Sequence, residues 1–190
     1  MNKILKALNN EGLLNFIIRI IKFIKRKALG RILVGKGGTT GFGLEIIGRK
    51  YITFGEAIGF GNCSRIEAYD QYLHQEFIPN IKIGKLCSFG HFLHIGAVGN
   101  IYIGEGCLFG SNILIIDHVH GEPKQLHMES DTRPAIRNLV FRGDIKIGKN
   151  VWVADNVKIF GGSIIEDGAI ISANSIVRGV VKKDTIFRND

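Results

Sequence analysis

From Ile147 onward an aliphatic residue returns at every sixth position, through Val153, Ile159, Ile165, Ile171 and Val177, without a slip. Four residues after each comes a small or β-branched one: Val151, Val157, Ser163, Ala169, Ser175 and Val181. An α-helix does not repeat at six, and a simple amphipathic strand repeats at two. The period instead suits a triangular coil in which each side is one short strand followed by a turn. Three such hexads make a coil. The large aliphatics stack inward on those of neighbouring coils, and backbone hydrogen bonds run between coils as in a parallel sheet.

The same register runs upstream through Val34, Thr40 and Ile46, then Phe54, Phe60 and Ile66, then Ile83, Phe89 and Ile95, then Ile103, Phe109 and Ile115. It departs from six at Ile46 to Phe54, Ile66 to Ile83, Ile95 to Ile103 and Ile115 to Ile147. Each departure falls between the third hexad of one coil and the first of the next, so all the insertions should leave from one corner of the prism. The 25 glycines against 3 prolines suit a chain that turns often and tightly. The expected class is all-β, a parallel β-helix of hexapeptide repeats with an N-terminal amphipathic helix and one long protruding loop. The boundaries that follow are a helical segment at 1–31, the β-helix at 32–183 with its loop at about 121–142, and a tail at 184–190. A loop of that length usually carries function.

The N-terminal segment differs in kind. Leu14, Ile17, Ile18, Ile21, Ile24 and Ala28 fall at helical spacing, with Asn15, Arg19, Lys22 and Arg26 on the other side. Such a helix either caps the end of the stack or lies on a membrane. Residues 1–31 hold eight Lys or Arg and one acid, Glu11, so +7 of the net +8 sits there and the body is nearly neutral. That distribution argues against nucleic acid as a partner and points to an anionic surface, with residues 1–28 as a peripheral membrane contact. Arg19 and Lys22 interrupt the apolar stretch, which speaks against both a signal peptide and a bilayer span. Cys63, Cys87 and Cys107 are odd in number and lack metal-ligand spacing, so neither a disulfide framework nor a zinc site is expected. The expected location is cytoplasmic, at the inner face of the membrane where the helix makes contact.

Asp117-His118-Val119-His120-Gly121 is the densest titratable cluster, and it sits at the mouth of the longest insertion. An imidazole at a cleft edge suits proton removal near neutral pH. A solvated turn histidine, or one bonded to a loop carbonyl, is the structural reading of the same residues.

The hexad run, the DHVHG segment, the long loop and the return at Ile145-Lys146-Ile147-Gly148-Lys149-Asn150-Val151-Trp152-Val153 resemble the hexapeptide-repeat acyltransferases. Within these the likeness is nearest to the O-acetyltransferases of surface polysaccharides and sugars. More broadly it extends to the galactoside, maltose, nodulation and streptogramin acetyltransferases, and it covers about Val34 to Lys183. The repeats are specific for the fold, whereas DHxHG followed by IGxNVW is fairly specific for acetyl transfer.

The resemblance implies a left-handed coil, against the usual crossover hand, and a homotrimer with active sites between adjacent subunits. It also implies direct transfer from acetyl-coenzyme A to a sugar or glycan hydroxyl, without a metal. His120 matches the catalytic position as general base. Asp117 and His118 would orient it or hold the acceptor, with a turn-capping role for Asp117 equally open. Asn112 stands where sugar-acetylating relatives contact the acceptor, and asparagine is also common in β-helix turns. Trp152 matches a tryptophan near the pantetheine arm of coenzyme A, or packs at the trimer seam. Ala173, in Ser172-Ala173-Asn174-Ser175, matches a segment whose backbone contacts coenzyme A, and Arg178, Lys182 and Lys183 would meet its phosphates or stand as solvated basic residues near the chain end. Relatives continue into a G-x-P-A motif that is absent before Asp190, so part of the coenzyme A site is expected to be missing or built differently. The competing readings are transfer to the amine of an amino sugar, a γ-carbonic-anhydrase-like metal site using His91, His94, His118 and His120, and a non-catalytic scaffold.

Overall fold

A computed structural model describes residues 13–122 and 132–189. Helix α1 (Leu13–Leu33) is followed by a three-sided parallel β-helix. One six-stranded side, face I, orders Ile52–Phe54, Asn80–Ile83, Asn100–Ile103, Ile145–Ile147, Ile164–Ile165 and Val180–Val181. Face II runs from Gly59–Phe60 through Ser88–Phe89, Leu108–Phe109, Trp152–Val153 and Ile170–Ile171 to Ile186–Phe187. Face III runs from Glu45–Ile47 through Arg65–Ala68, His94–Ala97, Leu114–Ile116 and Lys158–Phe160 to Ile176–Val177.

The hexad register is the pairing register. Ile103 lies beside Ile147 and Ile147 beside Ile165 on face I, Phe109, Val153 and Ile171 align on face II, and Ile115, Ile159 and Val177 align on face III. All nine are buried. On face II the inward aromatics Phe60, Phe89 and Phe109 stack at centroid spacings of 4.9 and 4.6 Å. The residues four positions on, from Val151 to Ser175, are buried too, because each small side chain fills the corner where two faces converge.

Two of the three corners turn by one left-handed residue. Between faces II and III these are Cys63, Phe92, Asn112, Asn156 and Asn174, and between faces I and II they include Leu86, Asn150 and Asp184. Asparagine tolerates this conformation best among residues with a side chain. The third corner, between faces III and I, carries every insertion. It holds the short 3-10 turn Arg49–Tyr51, a hairpin of Gln71–Tyr72 with Gln75–Glu76, and a hairpin of His118–His120 with Leu139–Phe141. The long excursion is therefore antiparallel sheet at its base, and part of the 121–142 loop lies outside the described residues.

Three expectations change. Val34, counted as the first hexad residue, follows α1 in a turn, although its side chain enters the core. Val181, counted among the small residues four positions on, instead pairs across from Ile165 as the inward residue of the next face I strand. Ile186–Phe187 pairs with Ile170–Ile171, so a strand of face II falls within the segment read as a tail.

Helix α1 is closed just past its last residue by Gly35 (φ 117), whose N–H, like that of Val34, donates to the Gly30 carbonyl. Gly30 approaches Gly38 and Thr39 so closely that any Cβ there would strike their backbone. Arg26 exchanges hydrogen bonds with the Thr40 backbone at 3.1 and 3.2 Å. A cleft of about 840 Å³ lined by Arg19, Lys22, Phe23, Arg26 and Phe42 separates the rest of the helix from the first coil. The apolar stripe of Leu14, Ile17, Ile18, Ile21 and Ile24 is left exposed, so it does not seal the end of the prism.

Candidate active site

The Asp117-His118-Val119-His120 segment leaves face III at the insertion corner. Asp117 and His118 are buried there, and His120 is exposed. The Asp117 carboxylate accepts the backbone N–H of Val98 at 3.0 Å and of Gly99 at 2.8 Å, both on the preceding coil, and it meets His118 Nδ1 at 2.9 Å. Its own carbonyl accepts the Arg142 N–H at 2.7 Å where the excursion returns. Asp117 thus ties the outgoing strand, the return and the coil beneath. The turn-capping role is the one its contacts display.

The Asp117 contact makes His118 Nδ1 the protonated nitrogen, since a carboxylate can only accept. Tyr69 stands edge-on to the His118 ring at 5.7 Å. Burial, with a hydrogen bond to Glu67, pushes the Tyr69 phenol well above its ordinary value, so it stays protonated. Glu67, itself buried, meets His94 Nε2 at 2.9 Å and Arg65 Nε at 3.2 Å.

His120 is held from the Gln71–Tyr72 and Gln75–Glu76 hairpin, which leaves the same corner two coils earlier. Tyr72 Oη lies 3.2 Å from its Nδ1, and the two rings are edge-on at 5.4 Å. Gln75 clasps the two hairpins together: its Oε1 accepts the Leu139 N–H at 2.7 Å and its Nε2 donates to the Leu139 carbonyl at 3.0 Å. The sequence reading missed Tyr69, Tyr72, Gln75 and the Arg65–Glu67 pair. The available signal was only that the Ile66-to-Ile83 and Ile115-to-Ile147 insertions leave the same corner, two coils apart, on either side of the short Ile95-to-Ile103 connection.

The remaining candidates lie elsewhere on the prism. Asn112 (φ 59) is a left-handed turn residue between faces II and III, stacked with Asn156 and Asn174. Ala173 is exposed at that same corner. Trp152 projects from face II, the side opposite the insertion corner, and is 49% exposed. Arg178 is at the insertion corner, two coils beyond Asp117, with its guanidinium 4.3 Å from the Phe160 ring centroid. One chain therefore cannot bring Trp152 or Ala173 to His120. The histidines of the metal reading are also dispersed: His91 Nδ1 accepts the Asn62 N–H at 2.8 Å near the Asn112 corner, while His94 is held by Glu67 on face III. Among the described residues no group of three or more His, Cys, Asp or Glu is placed to hold a metal ion.

No protein-family model matches the chain. It is 28% identical over 174 residues, 90% of its length and 73% of the other's, to an Escherichia coli (strain K12) protein named as a lipopolysaccharide biosynthesis O-acetyl transferase, WbbJ. Over 54 residues, 28% of this chain and 30% of the other, it is 50% identical to a Lysinibacillus sphaericus protein named as a macrolide acetyltransferase. Among solved structures it is similar to the Bacillus cereus N-acyltransferase AntD, with a TM-score of 0.58 at 17% identity over 83% of this chain and 79% of that one. Repeat, fold and sequence relatives together define the class: the chain is an acyltransferase whose hexapeptide repeats build a parallel β-helix.

Proposed function

We propose that the enzyme transfers the acetyl group of acetyl-coenzyme A directly to a hydroxyl of a sugar or surface glycan, with His120 as general base. The observation that carries this is the exposed His120 imidazole, held through Nδ1 by Tyr72 so that Nε2 is free to face a ligand. The relationship to the lipopolysaccharide O-acetyl transferase supports the acceptor class. The acceptor hydroxyl attacks the thioester carbonyl as Nε2 takes its proton. Backbone N–H groups stabilise the tetrahedral oxyanion, and its collapse expels coenzyme A thiolate, which recovers the proton from the imidazolium.

Trp152, Ala173 and Arg178 are the proposed coenzyme A contacts, and Asn112 the proposed acceptor contact. Their separation from His120 on one prism supports a homotrimer in which one subunit supplies the base and its neighbour the coenzyme A surface. Asp117 and His118 act beneath the site as its scaffold.

Helix α1 is proposed to rest on the anionic inner face of a membrane, its exposed isoleucines in the acyl boundary and its lysines and arginines at the headgroups. No described helix is long and apolar enough to cross a bilayer. The deciding assay follows release of coenzyme A, corrected for hydrolysis, against a panel of sugars, nucleotide sugars and polysaccharides that includes amino sugars. Acceptor-dependent release with a hydroxyl-only sugar is expected; release with amines alone would move the enzyme to N-acetylation.

A further inference from the structure

We propose that Tyr72 is a positioning residue for the base: it holds His120 in the tautomer that carries its proton on Nδ1 and so keeps Nε2 as the proton acceptor. The inference rests on His120 being the base. It begins from the single proton of a phenol. Tyr72 Oη donates to the Ala135 carbonyl at 2.7 Å, which commits that proton. At 3.2 Å from His120 Nδ1 the same oxygen has only lone pairs to offer, so the proton of that contact belongs to the imidazole. The opposite tautomer would set two lone pairs against each other.

The contact is held from both sides. Tyr72 ends a short strand whose hairpin turns through Leu73 in the left-handed region (φ 53), and Gln75 on the partner strand grips both backbone groups of Leu139. Oη therefore bridges His120 on the outgoing arm of the excursion and Ala135 on the returning one. Its part in the reaction is twofold. It aims the ring, and it offers an acceptor to an Nδ1–H whose hydrogen bond strengthens as the imidazole becomes a cation in the transition state. A phenol does this without placing a fixed negative charge beside an incoming acyl donor. His118 gains the same tautomer from Asp117 but is buried, so of the two it is His120 that combines an Nδ1–H tautomer with an exposed ring.

Tyr72→Phe keeps the ring packing and removes only the oxygen. The test pairs turnover with nitrogen NMR of protein labelled with ¹⁵N in its histidine rings, with the His120 signals identified by their loss in His120→Ala. In the parent enzyme neutral His120 is expected to show a protonated Nδ1 and a bare Nε2. In Tyr72→Phe it should move to the Nε2–H form, and kcat should fall about tenfold to a hundredfold with KM for acetyl-coenzyme A unchanged. Tyr72→Ala, which also loses the ring, should fall at least as far. An Nε2–H signal in the parent enzyme, or unchanged kcat in Tyr72→Phe, overturns the proposal. Normal turnover by His120→Ala removes the base itself and Tyr72's catalytic part with it. The nitrogen signals still report whether the contact sets the tautomer, so the two failures are told apart.

Discussion

The Asp117 carboxylate accepts the Gly99 backbone N–H at 2.8 Å, joining the strand that leads to the histidines to the coil beneath it. Asp117→Ala should strand the buried Val98 amide, at about 1–3 kcal/mol, and the half-buried Gly99 amide at less. Urea unfolding should register that loss. A variant as stable as the parent, with activity alone reduced, would return Asp117 to a direct role in the chemistry.

The core prediction concerns Ile159, fully buried between Ile115 and Val177 on face III. Ile159→Ala should cost about 2–5 kcal/mol through the cavity it leaves in a close-packed stack. The loss is read as a lower urea midpoint at unchanged slope, whereas a shift near zero would mean that the hexad positions do not form the continuous core.

Helix α1 makes a prediction that separates its two readings. It touches the body through Arg26 and Gly30 near its end and leaves Ile17 and Ile21 exposed. Ile17→Glu with Ile21→Glu should abolish co-sedimentation with phosphatidylserine-containing vesicles while the melting temperature stays within about 2 °C, as surface substitutions usually do. A large drop in melting temperature with vesicle binding retained would make the helix a cap.

The prism was legible because its code is periodic: each inward residue from Ile147 to Val177 repeats a local instruction that stacking makes global. The insertion corner was legible by the same arithmetic. Val34 misled because it satisfies the spacing and is buried, yet the spacing does not say whether a side chain enters the core from a strand or from the turn after a helix. Asn112 fits both an acceptor contact and a left-handed turn, and only its stacking with Asn156 and Asn174 exposes the second. Tyr72 was invisible because its partner, His120, is 48 residues away, and nothing in either hairpin's own sequence says that they meet.

The account turns on His120, and the most direct measurement is single-turnover acetyl transfer by His120→Ala beside His118→Ala. The His120 variant should lose about 10²–10⁴-fold in rate while binding acetyl-coenzyme A as before, and the His118 variant should lose less. Near-parent turnover by His120→Ala would contradict the account, and the same result for both variants would remove the cluster from the chemistry.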